Sequence, residues 1–399
     1  MSSSSSVRLL MVAGERSGDL HGAELATALK AAVGDVQIFG CGGEAMRQAG
    51  VETVADLRDF AMVGISEVVT GLPKARHAFH AILAETDRRR PELAVLIDAP
   101  SLNLRLAKKL KPRGVAVAYY VSPQIWAWKK WRMRHLRQRV GRMLVLFDFE
   151  EPIYQRAGVP VEYVGHPLVD RPTILRPMLS RGEFFARAGL DPGLPLVAIL
   201  PGSREIELAY NLPPLVEATH LLSLRRSMRL QFVLPAAATL DPARVEAKVK
   251  ASGAGRGLIH LVTGSTHDAL RYAEAAVVAS GTATLEAALL ECPMVVVYRV
   301  ASLTAFFARF MVDVPHFSMV NLLAGKRVVA ELVQQDFTPG RVADEVERLL
   351  DNAEARREMI GQFRAVRRRL GPGGAAGRAA CAVARLLRAP ASAPVLAGA

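Results

Sequence analysis

Short, wholly apolar runs separated by longer amphipathic stretches recur along this chain, and they do so in two series. Such a run can be buried on both faces as a strand of a parallel sheet covered by helices, the product of repeated βαβ units. In the first series the strand candidates are Arg8–Ala13, Gln37–Gly40, Leu93–Asp98, Val115–Val121, Met143–Phe147 and Glu162–Val164. Helical stretches lie between them at His21–Ala32, Ser101–Leu110, Lys130–Val140 and Glu150–Ala157. A proline-rich passage from Pro167 to Pro177 breaks the rhythm and reads as an inter-domain linker. The pattern then resumes with Leu196–Leu200, Gln231–Leu234, Leu258–Val262, Ala276–Ala279 and Met294–Tyr298. The expectation is an α/β protein of two doubly wound, Rossmann-like domains, residues 1–170 and 171–345, facing a central cleft. Residues 346–399 are expected to hold the end of a basic helical stretch and then a frayed tail of Ala, Gly, Pro and Arg.

Size and composition agree with this division. At 399 residues the chain exceeds what one hydrophobic core usually supports. Its 51% hydrophobic and 22% charged residues are those of a folded globular protein. The 51 Lys and Arg outnumber the 38 Asp and Glu, giving a net charge of +13 that favours anionic partners such as nucleic acid, lipid head groups or phosphorylated substrates. Cys41, Cys292 and Cys381 are too scattered for a disulfide framework or a zinc site. The apolar stretch from Val7 to Ala13 is too short for a signal sequence, and no apolar run reaches the roughly 18 residues of a membrane span. Any membrane association is therefore expected to be peripheral.

Three strand-to-helix turns carry small and polar residues. The first strand runs into Gly14-Glu15-Arg16-Ser17-Gly18-Asp19, which lacks both G-x-G-x-x-G and the P-loop pattern. It reads either as a site where Glu15 meets hydroxyls or as a tight turn with Ser17 or Asp19 as helix cap. In the second half, Pro201-Gly202-Ser203-Arg204 and Ser280-Gly281-Thr282 repeat the design. Two such turns with hydroxyls and an Arg suit a diphosphate held without metal, and Glu286 is placed to accept ribose hydroxyls. Ordinary helix capping is the alternative at each turn. No D-x-D motif is present to hold a cation; Asp148-Phe149-Glu150 is the nearest approach, and Asp148 reads as a strand end. Asp98 closes the apolar strand Leu93–Ile97, where open α/β sheets bind ligands, and is the first candidate for a general base, with helix capping as its competitor. Nucleophile and zincin motifs are absent. His166, in Gly165-His166-Pro167, reads as structural.

Two segments suggest contact with a surface. Trp126, Trp128 and Trp131 are interleaved with Lys129 and Lys130 and followed by Arg132, Arg134, Arg137 and Arg139, a pattern suited to base stacking, a bilayer interface or plain core packing. Ile65, Val68, Val69 and Leu72 fall at helical spacing before Pro73, Lys74 and Arg76, which fits either a core stripe or a membrane-facing one.

Taken in order, AGERSGDLHGA, MVGISEVV, IDAPSLNLRLAKKLK, YVSPQIWAWKKWR, VEYVGHPLVD, LPGSRE, SGTATLEAALLECPMVVVYR and NLLAGKRVVAELVQ resemble the lipid-A-disaccharide synthases, inverting glycosyltransferases of the GT-B fold. The strings extend from Val7 to about Gln334. The resemblance implies a reaction in which UDP-2,3-diacylglucosamine and 2,3-diacylglucosamine 1-phosphate give the β-1,6-linked disaccharide 1-phosphate and UDP. It implies no cofactor and no metal, a peripheral position on the cytoplasmic face of the inner membrane against its anionic surface, and no nucleic-acid partner; a homodimer is left open. Asp98 would assist deprotonation of the acceptor hydroxyl, and Arg204 with Ser203 and Gly202 would hold the diphosphate. Glu15, Ser17 and Asn103 would line the cleft. Gly281, Thr282, Glu286, Asn321 and Gln334 would bind the nucleotide, and Ile65, Val68, Val69 and Leu72 would receive acyl chains. The chain departs from the family pattern at Arg16, Ser101, Asp148 and His316–Val320.

Two competing expectations remain. Another GT-B protein, a transferase or epimerase using UDP-N-acetylglucosamine, would share the second-half turns but lack the first-half strings. A basic nucleic-acid-binding protein would account for the charge and the Trp-Lys-Arg segment and leave the paired turns unexplained.

Overall fold

A computed structural model describes residues 6–60, 65–123, 133–237, 239–253, 258–300 and 316–388, without the side chains of 65–71. The chain forms two compact units, one of Met1–Pro167 with Gly371–Ala399 and one of Leu168–Leu370.

The first unit contains β1 (Val7–Ala13), α1 (Arg16–Val33), β2 (Val36–Gly42), α2 (Glu44–Gln48), β3 (Glu52–Asp56), α3 (Ile65–Arg89), β4 (Leu93–Ile97), α4 (Pro100–Leu110), β5 (Ala116–Tyr120), α5 (Met133–Arg139), β6 (Arg142–Val145), α6 (Glu150–Arg156) and β7 (Val161–Tyr163). Its parallel sheet has the order β3-β2-β1-β4-β5-β6-β7. Side chains alternate along a strand, so the apolar runs fill two cores, one on each face. In one core Leu10, Val12, Ala94, Leu96 and Tyr119 pack with Ala78 and Ile82 of α3 and Leu106 of α4. In the other, Leu9, Met11, Val95 and Ile97 pack with Leu25, Ala26 and Leu29 of α1. Each fully buried Val, Leu or Ile contributes about 1.5–3 kcal/mol, so these runs fix which strands are central.

The second unit contains α7 (Pro172–Leu175), α8 (Arg181–Ala188), β8 (Leu196–Leu200), α9 (Glu205–Arg225), β9 (Gln231–Ala236), α10 (Pro242–Ala251), β10 (Ile259–Thr263), α11 (Thr266–Tyr272), β11 (Ala275–Ala279), α12 (Thr282–Leu289), β12 (Met294–Tyr298), α13 (Met319–Ala324), β13 (Ala330–Val333), α14 (Pro339–Asp351) and α15 (Ala353–Arg369). Its sheet is also parallel, in the order β10-β9-β8-β11-β12-β13. In both units the order reverses direction beside the first strand, between β1 and β4 and between β8 and β11. Helices leave to opposite faces there, which opens a crevice at the strands' carboxyl ends.

Two strands, β3 and β13, have no counterpart among the apolar runs. Both lie at a sheet edge, are short and carry charged residues, so neither needs to be apolar throughout. The proline-rich passage is not a free linker. α11 pins it to the second unit: Asp268 accepts the Met178 amide at 3.0 Å, Arg271 donates to the Thr173 and Ile174 carbonyls, and the Tyr272 hydroxyl donates to the Leu179 carbonyl at 2.6 Å.

The end of the chain differs from the expectation of one basic helix and a frayed tail. Asn352 divides the basic stretch into α14 and α15 by capping the Glu354 and Ala355 amides at 3.1 and 2.9 Å. Beyond Gly371, α16 (Ala375–Arg388) packs against α1 in the first unit, burying Ala379, Ala380 and Val383 beside Leu25, Ala26 and Leu29. Arg378 Nε donates to the Val164 carbonyl at 2.8 Å, and Arg385 pairs with Glu162. The alanines that suggest disorder by composition are the small residues that let this helix lie close to its neighbour.

Candidate active site

In the first unit, Glu15 follows β1 and Asp98 follows β4, the two strands flanking the crevice. Glu15 is exposed and extended (φ −140°, ψ 160°) as the N-cap residue of α1, and Ser17 is exposed in its first turn; neither Ser17 nor Asp19 caps this helix. Asp19 instead turns inward, where its carboxylate accepts the amides of Gly43 at 2.6 Å and of Ala45 and Met46 at 3.1 Å. It thereby holds the start of α2, a link across 24 residues that local sequence gives no sign of.

Asp98 and Ala99 both have left-handed backbones, with φ of 47° and 43°. For residues other than glycine each costs about 1–3 kcal/mol, so other contacts must hold the turn. The fully buried Asn103 donates through Nδ2 to the carbonyls of Ile97 at 2.9 Å and Asp98 at 2.8 Å. The Tyr119 hydroxyl donates to the Asp98 carbonyl at 2.5 Å, and the Asp98 amide donates to the Tyr120 carbonyl at 3.0 Å. Gly14 is required here, since a Cβ on it would stand 2.7 Å from that of Ala99. Asn103, expected to line a cleft, therefore acts on the backbone of the Asp98 turn. Burial pushes the Asp98 carboxyl up to about 6, helped by the negative charge of Glu15 and opposed by the Ala99 amide and His21. A carboxylate with that affinity for a proton suits a general base near neutrality.

In the second unit, Pro201–Arg204 follows β8 and Ser280–Gly281 follows the adjacent β11. Gly202 has φ 131°, and a Cβ on it would lie 2.5 Å from Glu207. The Asn211 side chain donates to the Pro201 carbonyl at 2.8 Å, fixing the strand exit. Glu207 accepts the amides of Ser203 at 2.7 Å and Arg204 at 3.3 Å, while the exposed Arg204 guanidinium lies 3.7 Å from the same carboxylate. Sequence reasoning misses Glu207, although Arg204 and Glu207 have the spacing of a capping box. At the second turn Gly281 (φ 156°) has open space where a Cβ would point, Thr282 is exposed, and no side chain caps α12.

The remaining nucleotide candidates fare differently. Glu286 is engaged: Arg171 lies 3.1 Å from one carboxylate oxygen and His267 3.7 Å from the other, and His267 also meets the Thr173 hydroxyl at 2.6 Å. Burial raises its carboxyl, but His267 and Arg171 outweigh that and leave it lowered. The Asn321 side chain cannot also bind a nucleotide in this arrangement. It is fully buried; its oxygen accepts the Val328 and Val329 amides, and its nitrogen donates to the Val329 carbonyl and to Glu331. Those four bonds exhaust a carboxamide's usual capacity, so Asn321 organises the loop before β13. Gln334, with φ 52°, sits just past β13, and its carbonyl accepts from Arg299 at 3.2 Å.

Of the acyl-contact candidates, Leu72 is 56% exposed on α3, whereas the side chains of Ile65, Val68 and Val69 lie outside the described residues. So do Trp126, Trp128 and Trp131. Among the described residues no helix is long and apolar enough to cross a membrane, and no group of three or more His, Cys, Asp or Glu residues could hold a metal ion.

The family model for lipid-A-disaccharide synthetase matches residues 9–373. The chain belongs to this family. It is 44% identical over 380 residues to the lipid-A-disaccharide synthase of Myxococcus xanthus (strain DK1622), covering 95% of this chain and 97% of that one. Membership makes it a glycosyltransferase of lipid A disaccharide synthesis. Among solved structures it is similar to the UDP-GlcNAc 2-epimerase from Neisseria meningitidis bound to UDP-GlcNAc, at 12% identity and a TM-score of 0.63, covering 96% of this chain and 99% of that one. It is also similar to CalG4, the calicheamicin glycosyltransferase, at 17% identity and a TM-score of 0.58, covering 97% and 100%. At those identities the likeness concerns the fold alone, which is GT-B. The family match decides between the synthase and epimerase expectations.

Proposed function

We propose that the chain joins UDP-2,3-diacylglucosamine to 2,3-diacylglucosamine 1-phosphate, with inversion and without a metal, releasing UDP. The observation that carries the donor side is the pair of turns at Gly202–Arg204 and Gly281–Thr282, which end the adjacent parallel strands β8 and β11. Both begin helices, whose amides and dipoles favour an anionic diphosphate, and the exposed Arg204 supplies the mobile positive charge. As the bond to the donor sugar breaks, negative charge grows on the diphosphate, where Arg204 and the amides of Ser203 and Thr282 stabilise it. Glu286 and Gln334 contribute to the nucleotide's surroundings, with Glu286 acting from within its pair with Arg171.

On the acceptor side, Asp98 takes the proton of the attacking hydroxyl, and Glu15 and Ser17 contact the sugar. Asn103 keeps Asp98 in place through its bonds to the Ile97 and Asp98 carbonyls. The acyl chains and the net charge of +13 favour work at an anionic membrane surface, with Leu72 and its helical neighbours Ile65, Val68 and Val69 as the contact.

The test is UDP release by the purified protein given the donor, with and without the phosphorylated acceptor, in detergent and excess EDTA. Acceptor-dependent release with a disaccharide product is expected. UDP binding without turnover would overturn the substrate pair, and turnover that stops in EDTA and returns with a divalent cation would overturn metal independence. Arg204→Ala should weaken UDP binding and turnover together; unchanged values would remove the diphosphate from this turn.

A further inference from the structure

Glu286 is a carboxylate that stability alone does not call for. It lies on α12 four residues beyond the exposed Thr282, so both share the helix face that starts at the Gly281 turn. Its side chain is only 15% exposed, and at so covered a position an apolar residue is often as stable as an ion pair. The pair with Arg171 therefore points to a use for the carboxylate itself.

Arg171 is held from its backbone outwards. It precedes α7, and its carbonyl accepts the amides of Ile174 at 2.9 Å and Leu175 at 3.1 Å. Arg271 of α11 donates to the next two carbonyls, those of Thr173 at 3.2 Å and Ile174 at 2.9 Å, which fixes the base of the Arg171 side chain. From there Arg171 Nη1 donates to Glu286 Oε1 at 3.1 Å. His267 Nε2 stands 3.7 Å from Oε2, beyond hydrogen-bond reach, so Arg171 makes the directed contact. All these groups belong to the second unit.

An ionised carboxylate offers roughly four lone-pair positions, of which Arg171 takes one. A ribose presents two neighbouring hydroxyls and needs two acceptors at a fixed spacing. Asn321 has no such reserve, because its four bonds use the whole carboxamide. We propose that Arg171 is a positioning residue: it orients the Glu286 carboxylate to accept both ribose hydroxyls, and so makes the site select a ribonucleotide over its 2′-deoxy counterpart. The inference rests on Glu286 belonging to the nucleotide's surroundings. With the charge-assisted bond in place, turning the carboxylate away costs that bond, so its acceptors keep one orientation. Without the guanidinium, the covered carboxylate rotates towards water or takes up a proton, and a protonated oxygen presents a donor where a hydroxyl needs an acceptor.

The test is calorimetric titration of the full chain with UDP and with 2′-deoxy-UDP, for the wild type, Arg171→Met, Arg171→Lys and Glu286→Gln. The wild type should prefer UDP about 10-fold or more, as for one hydrogen bond to a charged group. Arg171→Met keeps the length and apolar stem; UDP should weaken about 10-fold and 2′-deoxy-UDP by less, so that the preference falls towards one. Arg171→Lys keeps a charged donor without the planar fork, and its preference should lie between those two; it decides the matter if Arg171→Met does not fold. Glu286→Gln should lower the preference as well. A wild-type preference in either folded Arg171 variant would overturn the role of Arg171 and leave the nucleotide site standing. Equal affinity of the wild type for the two ligands, or a wild-type preference in Glu286→Gln, would overturn the reading of ribose by Glu286. Failure of the wild type to bind UDP at all would overturn the proposed function with it.

Discussion

Glu207 Oε2 lies 2.7 Å from the Ser203 amide nitrogen, so a carboxylate of the chain itself occupies a donor that the proposed diphosphate would use. A phosphate entering this turn must displace that carboxylate or share the amides with it, against like-charge repulsion. Glu207→Gln should therefore bind UDP several-fold more tightly, about 1 kcal/mol for one charge removed near a helix start. Calorimetric titration with UDP checks this, and unchanged or weaker binding would mean that Glu207 is only a helix cap.

Asp98 should trade stability for chemistry. Its carboxyl is raised from 3.8 to about 6, so ionising it costs the folded state more than the unfolded one. The cost is absent below the unfolded value, grows as pH rises towards about 6 and is fully present above it, up to about 3 kcal/mol. Asp98→Asn should thus abolish turnover and raise the melting temperature at neutral pH. That advantage should shrink as pH falls from 6 towards 4; a gain independent of pH would place its origin elsewhere.

Removing Asn103 should release the turn it holds. Asn103→Ala takes hydrogen-bond donors from the Ile97 and Asp98 carbonyls and should destabilise by about 1–3 kcal/mol. The turnover number should fall while UDP affinity, which we propose to lie with the second unit, stays unchanged. Equal losses in both would point to general unfolding.

Gly40 offers a test of the sheet alone. Its φ is 150°, and a Cβ there would lie 2.0 Å from the Met11 carbonyl oxygen on the neighbouring strand. Backbone cannot give way as a side-chain tip can, so Gly40→Ala should cost more than about 3 kcal/mol and reduce soluble yield. Denaturant unfolding of any soluble fraction would measure it.

Much of the architecture was legible because central parallel strands must be apolar on both faces. β8 and β12 coincide with their sequence limits, and β4 falls one residue short of its predicted end because Asp98 turns away in a left-handed conformation. β3 and β13 escaped detection because edge strands cover one face and tolerate charge. At the candidate site, strand-end position singled out Asp98, Gly202 and Gly281, and each does lie just beyond a strand. It could not foresee that Asn321 spends its whole side chain on a loop, that Asp19 serves a distant helix, or that Glu286 pairs with Arg171. Those roles depend on partners 7 to 115 residues away.

The return of α16 to the first unit bears on the order in which the molecule can be made. Leu168–Leu370 is one continuous stretch, so all of it is available before synthesis reaches α16. The first unit begins to form earliest and is completed only after the second has been made: the face of α1 that receives Ala379, Ala380 and Val383 must wait for α16 to leave the ribosome. Until then Leu25, Ala26 and Leu29 are only partly covered, and a nascent chain stalled before Ala375 would expose an apolar strip for chaperones or proteases to find.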